Sequence, residues 1–162
     1  NKLIQCCANS STSWTIIRPA MVYGPNCPGN FADLTRVVRA RVPLPFKNVR
    51  NSRSFIYIEN LVDLVALCIE KPAASNEIFV AADPDAVSIS EIIRWIAEAA
   101  GRRPMMWALP VPLMRGLAGV LGMETRLSSL VDDFVVDGQK ARKLLGWQPS
   151  YDTHSGILRS LS

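Results

Sequence analysis

Short runs of β-branched and aromatic residues alternate along this chain with segments that repeat apolar residues at helical spacing, which restricts the fold to the α/β class. Thr15-Ile16-Ile17-Arg18 reads as a strand ending at Pro19, and Leu3 to Ala8 before it as the tail of a helix. Phe55-Ile56-Tyr57-Ile58 and Ile78-Phe79-Val80 read as further strands, and Phe134-Val135-Val136 as a short one leading into a helix from Gln139 to Leu145. Asn30 is placed to cap a helix through Arg41 that buries Phe31, Leu34, Val37 and Val38 and stops at Pro43. Asn60 with Asp63 makes a cap-like start for a helix carrying Leu61, Leu64, Val65 and Cys68. Ser88 and Glu91 spell a capping box ahead of Ile92, Trp95, Ile96 and Ala100, with Gly101 where a helix end favours a left-handed residue.

With 162 residues, 49% of them hydrophobic and 20% charged, the chain can bury a real core as one ordinary domain. Prolines and glycines are spread between apolar stretches rather than gathered into a linker, and no internal repeat divides the sequence. The most apolar uncharged run, Pro104 to Met114, is broken by prolines and falls well short of the roughly 20 residues that span a bilayer. The start, Asn1-Lys2-Leu3-Ile4-Gln5-Cys6-Cys7, lacks the pattern of a signal peptide and reads as a cut through a longer protein. Cys6, Cys7, Cys27 and Cys68 show no C-x-x-C spacing and lie far in sequence from His154, so they read as reduced, structural and cytosolic, with no metal site. A net charge of +4 suits an anionic partner without choosing one.

In Ile17-Arg18-Pro19-Ala20-Met21-Val22-Tyr23-Gly24-Pro25 a strand runs out into a proline-bounded turn. Ligands of open parallel sheets bind beyond the carboxyl ends of strands, so this turn is either a ligand loop or a rigid connection. In Asn51 to Asp63, Arg53 stands at the mouth of a strand, where its guanidinium could hold a phosphate through paired hydrogen bonds or be solvated.

Together these segments resemble the extended short-chain dehydrogenases, the nucleotide-sugar epimerase/dehydratase family. The R-P-x-x-V-Y-G-P turn matches Arg18 to Pro25, the G-N-F helix start Gly29 to Phe31, and the P-L-P segment Pro43 to Pro45. The R-S/D-aromatic-I run ending in L-V-D matches Arg53 to Asp63, and L-L-G-W-x-P matches Leu144 to Pro149, all in the family's order. The nearest likeness is to bacterial UDP-N-acetyl-hexosamine epimerases and 4-keto-sugar reductases of surface-polysaccharide pathways. The resemblance implies the carboxy-terminal part of an extended Rossmann-type parallel sheet plus a small mixed substrate-binding lobe. Residues 1–25 would end the Rossmann domain, and 26–162 would be mostly lobe, with one returning sheet strand near 77–82.

By the same resemblance, Pro19, Ala20 and Val22 fall where family members line the nicotinamide end of NAD, largely through backbone. NADP remains possible, and most of the cofactor would be bound by an amino-terminal half. Asn30 and Phe31 fall at the nucleotide-diphosphate contact, Pro45 and Phe46 beside the base, and Arg53 on the phosphates, with Arg126 aligning with a second phosphate arginine. Met21 replaces an Asn that touches the sugar diphosphate in many epimerases, which weakens any claim to the UDP-galactose 4-epimerase subtype.

The family's chemistry uses a Y-x-x-x-K pair, in which the Tyr exchanges a proton with a sugar hydroxyl while NAD carries the hydride. Tyr23, Tyr57 and Tyr151 are followed four residues on by Cys27, Leu61 and Ser155, so this chain carries no catalytic residue of that kind. The pair is expected before Asn1, and the chain alone is expected to be inactive. Gly116, Gly119 and Gly122 repeat the family's phosphate-loop spacing, but prolines interrupt any strand before them, so small residues packed along a helix explain them better. Asp152, His154 and Ser155 hold the residue types of a hydrolase triad, yet crowd into one short segment. A DNA-reading helix pair at Ile89 to Arg103 is disfavoured because Pro104, Pro110 and Pro112 deny the second helix its place, so no nucleic-acid partner is expected.

The expected function is therefore the substrate-binding half of a cytoplasmic NAD-dependent enzyme that epimerises a UDP-sugar through a 4-keto intermediate, or reduces a 4-keto sugar. A non-catalytic ligand-binding or assembly module is the rival of another class. The chain is expected to span no membrane and to associate with itself, as a homo-oligomer or through sheet edges left open.

Overall fold

Two parallel strand pairs, set end to end, organise the chain. A computed structural model describes Gln5, Cys7 and residues 12–161, except the side chain of Arg126. The expected helix tail at Leu3 to Ala8 lies outside the described residues apart from Gln5 and Cys7, both helical. Strand β1 (Thr15–Pro19) pairs in parallel with β4 (Glu77–Ala81), placing Ile17 opposite Phe79. After Ala20, whose N–H donates to the Ala81 carbonyl at 2.8 Å, strand β2 (Met21–Tyr23) pairs in parallel with β3 (Phe55–Tyr57).

Side chains on a strand alternate between faces, and here the alternation feeds two cores. Tyr23, Phe55 and Tyr57 enter one, with Phe31, Phe46, Ile92, Ile93, Ile96 and Ile157, and Met21 packs against it. Ala20 and Ile56 enter the other, with Leu64, Phe79, Ala81, Leu145 and Trp147, and Val22 packs against it. The β2–β3 pair is thus a wall between a lobe core and a sheet-side core.

The helices supply the covers. Helix α1 (Asn30–Arg39) buries Phe31, Thr35 and Val38, and α2 (Ile58–Glu70) buries Asn60 and Leu64. Helix α3 (Ile89–Ala99) is the most thoroughly buried, and α4 (Val111–Val120) and α5 (Glu124–Val131) follow it. Helix α6 (Gln139–Leu145) joins α2 in the sheet-side core, and α7 (Thr153–Leu161) packs against α3 and β3. The Ser88–Glu91 capping box forms in full, and Gly101 takes the left-handed φ of 64° expected of it.

Several boundaries depart from expectation. Gly29, not Asn30, occupies the cap of α1, which ends at Arg39 because Arg41 turns left-handed at φ 58°. Helix α2 starts at Ile58 rather than at Asn60, because Asn60 is buried and its amide is engaged in tertiary hydrogen bonds. Phe134-Val135-Val136 shrinks to a single bridge between Phe134 and Arg53. The second helix that the prolines were expected to forbid does form: Pro110 caps α4 and Pro112 lies in its first turn, where a missing N–H costs nothing. The segment between α3 and α4 is extended, bridging Leu44 to Met106 and Phe46 to Ala108, so the pair is no helix-turn-helix. Gly116 and Gly119 lie on the exposed side of α4 rather than packed within it.

Candidate functional site

Arg53 is held by backbone on both sides. It exchanges N–H···O bonds with Val87 at 3.0 and 2.9 Å, while Phe134 donates to the Ser52 carbonyl and accepts from Ser54 N–H, both at 2.8 Å. This clamp turns the Arg53 side chain into a crevice whose other walls include Met21 from β2, Asn30, Phe31 and Leu34 from α1, and Leu130 from α5. One guanidinium N–H donates to the Asp132 carbonyl at 2.7 Å, and Cζ lies 5.8 Å from the Phe134 ring centre. Burial lowers the Arg53 pKa, and the charges of Asp132 and Asp133 oppose that shift. The group stays cationic, since guanidinium deprotonates only far above neutrality. Beyond the Asp132 contact it has donors left for an anion.

The crevice itself holds only about 20 Å³ of open space. It opens into a mostly apolar cleft of about 380 Å³ lined by Asp33, Val37, Leu44, Phe46 and Met123, with Asn30, Leu34, Ser129 and Leu130 shared between the two. The side chain most able to widen the crevice is Met21, unbranched and rotatable about several bonds.

Met21, Asn30, Phe31 and Arg53 therefore meet around one crevice, and Phe46 lines the cleft beside it. Phe46 is buried, and its carbonyl accepts a hydrogen bond from the Ser90 hydroxyl. Pro45 is half-buried between the bridging residues Leu44 and Phe46. Arg126 belongs to α5, which also supplies Ser129 and Leu130 to the crevice; its side chain lies outside the described residues. On the opposite face of the wall, Pro19 is exposed at the carboxyl end of β1, Ala20 is buried and Val22 packs on the sheet-side core. Alternation along the chain thus separates Met21 from Ala20 and Val22.

The tyrosines have other work. Tyr23 is buried, with its hydroxyl 3.1 Å from Asp83 Oδ2 and 3.2 Å from the Thr153 carbonyl. Tyr57 donates to Glu59 at 3.1 Å. Burial, the largest cause in each case, pushes both phenols above their ordinary pKa, the wrong direction for proton exchange near neutrality. His154 faces Glu98 at 3.2 Å and lies against Trp95, while Asp152 accepts the Ser155 N–H at 2.7 Å at the start of α7. Those three side chains form no relay. Among the described residues no group of three His, Cys, Asp or Glu side chains is placed to hold a metal ion.

Sequence reasoning missed Asp83. This buried carboxylate accepts from Asn60 Nδ2 at 2.8 Å, from Tyr57 N–H at 3.1 Å and from the Tyr23 hydroxyl, while Asn60 also donates to the Tyr151 carbonyl at 2.8 Å. It ties the ends of β2, β3 and β4 to α2 and thereby fixes the wall from which Met21 and Arg53 project. Burial raises its pKa, against hydrogen bonds from Asn60, Tyr57 and Tyr23 and the charge of Arg142. The one signal in the sequence is an Asp two residues beyond a strand that ends Phe79-Val80-Ala81.

A crevice beyond the strands of a parallel sheet is where open α/β proteins bind their ligands. The sequence model of the NAD dependent epimerase/dehydratase family matches residues 2–82, and the chain belongs to that family. A UDP-glucose 4-epimerase of Vibrio cholerae is 36% identical over 159 residues, covering 96% of this chain and 48% of the relative. The solved structure of UDP-glucose 4-epimerase from Thermotoga maritima with UDP-glucose superimposes with a TM-score of 0.71 at 20% identity, over 99% of this chain and 48% of that one. The Thermus thermophilus UDP-glucose 4-epimerase complex with NAD gives 0.70 at 20% identity, over 99% of this chain and 49% of that one. The fold is therefore the α/β epimerase fold with parallel strands, and the chain spans about half the length of the relatives it matches.

Proposed function

We propose that this chain is the substrate-binding half of an NAD-dependent enzyme that inverts a UDP-sugar at C4 through a 4-keto intermediate. The observation that carries this reading is the convergence of Met21, Asn30, Phe31 and Arg53 on one crevice that opens into the cleft lined by Phe46. Arg53 would grip the diphosphate, with Arg126 as a second cation, Asn30 would hydrogen-bond it, and Pro45 with Phe46 would flank the base. A planar guanidinium on a rigid backbone clamp suits a diphosphate, because its fork is oriented before the ligand arrives.

NAD, when bound, supplies hydride acceptance and return. The exposed end of β1 at Pro19, with Ala20 and Val22 beyond it, fits an end contact with the nicotinamide and little more. The glycines at 116–122 do not fit the pyrophosphate, because they sit on and after α4 rather than between a strand and a helix. The proton exchange is assigned to neither Tyr23 nor Tyr57, since burial drives both the wrong way.

Reduction of a 4-keto sugar is the second reading, favoured by Met21 in place of an amide, because an apolar thioether cannot hydrogen-bond the sugar diphosphate there. The test is a product assay on the full-length enzyme with UDP-N-acetylglucosamine and with a 4-keto UDP-sugar. Inversion at C4 without net cofactor consumption supports the epimerase, and stoichiometric cofactor oxidation with the keto sugar supports the reductase. Turnover of neither would remove the proposal.

A further inference from the structure

The side chain of Asn51 lies outside the Arg53 crevice, yet its hydrogen bonds end on the residues that shape it. Asn51 is buried two residues ahead of Arg53 in the approach to β3. Its Nδ2 donates to the Leu130 carbonyl at 2.9 Å and to the Asp132 carbonyl at 3.3 Å, while its Oδ1 accepts the Ile89 N–H at 3.0 Å. Leu130 and Ile89 line the crevice. The Asp132 carbonyl is the group to which the Arg53 guanidinium donates at 2.7 Å, so Asn51 and Arg53 share one acceptor.

Helix ends leave backbone carbonyls and N–H groups without partners inside the helix. Leu130 lies in the last turn of α5 and Ile89 is the first residue of α3, so one carboxamide closes the end of one helix and the start of another. The Ser88–Glu91 capping box serves the N–H groups of Ser88 and Glu91 and leaves that of Ile89 to Asn51. Two carbonyls and one N–H around a single side chain call for two donors and one acceptor, the set a carboxamide carries. An Asp here would set a carboxylate against two carbonyl oxygens. Among the helices α5 packs mainly on α4, and Asn51 ties its end to the strand that presents Arg53.

We propose that Asn51 is a positioning residue of the crevice: by holding the end of α5 and the Asp132 carbonyl it aims the Arg53 fork and sets Leu130 beside it, without touching the ligand. This rests on the reading that the crevice takes the diphosphate of a UDP-sugar.

The test is calorimetry with UDP and with NAD on the full-length protein and its variants. Asn51→Ala should weaken UDP roughly fivefold and leave NAD binding unchanged. Ser88→Ala, which removes a different cap of α3 and touches nothing in the crevice, should bind UDP like the parent. In the Arg53→Ala background the Asn51 loss should shrink to about twofold or less, because the group it aims is gone. If Asn51→Ala fails to fold, Asn51→Ser, which keeps one hydroxyl at that place, carries the same comparisons. A purely structural Asn51 would lower the thermal midpoint and leave UDP affinity at the parent value, which overturns the inference. Equal UDP losses from Ser88→Ala, or from Asn51→Ala with and without Arg53, overturn it as well. If Arg53→Ala itself binds UDP like the parent, the diphosphate reading falls and takes this inference with it. An intact Asn51→Ala beside a weakened Arg53→Ala removes this inference alone.

Discussion

Replacing Arg53 by Ala separates a small structural cost from a larger binding cost. In the folded chain the guanidinium donates to the Asp132 carbonyl at 2.7 Å, and losing that bond should cost about 1 kcal/mol of stability. The nucleotide loses a charge-assisted contact worth about 1.5–3 kcal/mol, so UDP binding should weaken by about one to two orders of magnitude. Lys should restore only part of this, because it keeps the charge and loses the planar fork. Calorimetry with UDP on the full-length protein reads the binding term and a denaturant melt reads the structural one. NAD affinity is the control and should barely move. Arg126→Ala should weaken UDP in the same direction, and the double variant should be non-additive if both cations grip one diphosphate. If UDP binds Arg53→Ala as tightly as the parent, the assignment of the diphosphate to this crevice is wrong.

Asp83→Ala leaves Asn60, Tyr57 and Tyr23 donors facing a buried gap and should destabilise the chain by at least about 3 kcal/mol in a urea melt. The same carboxylate has a folded pKa above its ordinary 3.8, so the folded state binds the proton more tightly than the unfolded one. Its contribution to stability should therefore fall as pH rises from 3.8 through the folded pKa, a slope that Asp83→Asn should remove. Gly156→Ala would drive a methyl against the Tyr23 hydroxyl and to 3.0 Å from the Tyr57 ring, so thermal unfolding should show a loss of about 1–3 kcal/mol. Ser88→Ala removes the hydroxyl of the capping box on α3 and should cost about 1 kcal/mol by the same measurement.

The elements legible from sequence are those whose signal is local. Ser88 and Glu91 satisfy each other within one turn, and Ile16–Ile17 and Ile78–Phe79–Val80 are strands by composition, so each was placed within a residue or two. Asn60 was misread because an amide ahead of an apolar run looks like a cap, whereas its partners Asp83 and Tyr151 lie 23 and 91 residues away. Phe134-Val135-Val136 has strand composition but only Phe134 bridges Arg53, and the Val136 N–H donates to the Ser54 hydroxyl instead of continuing a backbone ladder. In the site, motif order brought Met21, Asn30, Phe31 and Arg53 to one place. The clamp from Val87 and Phe134 that aims Arg53 is made of backbone bonds, which leave no mark on residue identity.

The most direct test of the account is a crystal structure of the full-length protein soaked with UDP. The diphosphate should lie within hydrogen-bond distance of the Arg53 guanidinium and Asn30, with Met21 rotated to open the crevice and the uracil in the cleft beside Phe46. UDP bound instead in the groove lined by Lys47, Arg50 and Arg94, with the Arg53 crevice closed, would contradict it.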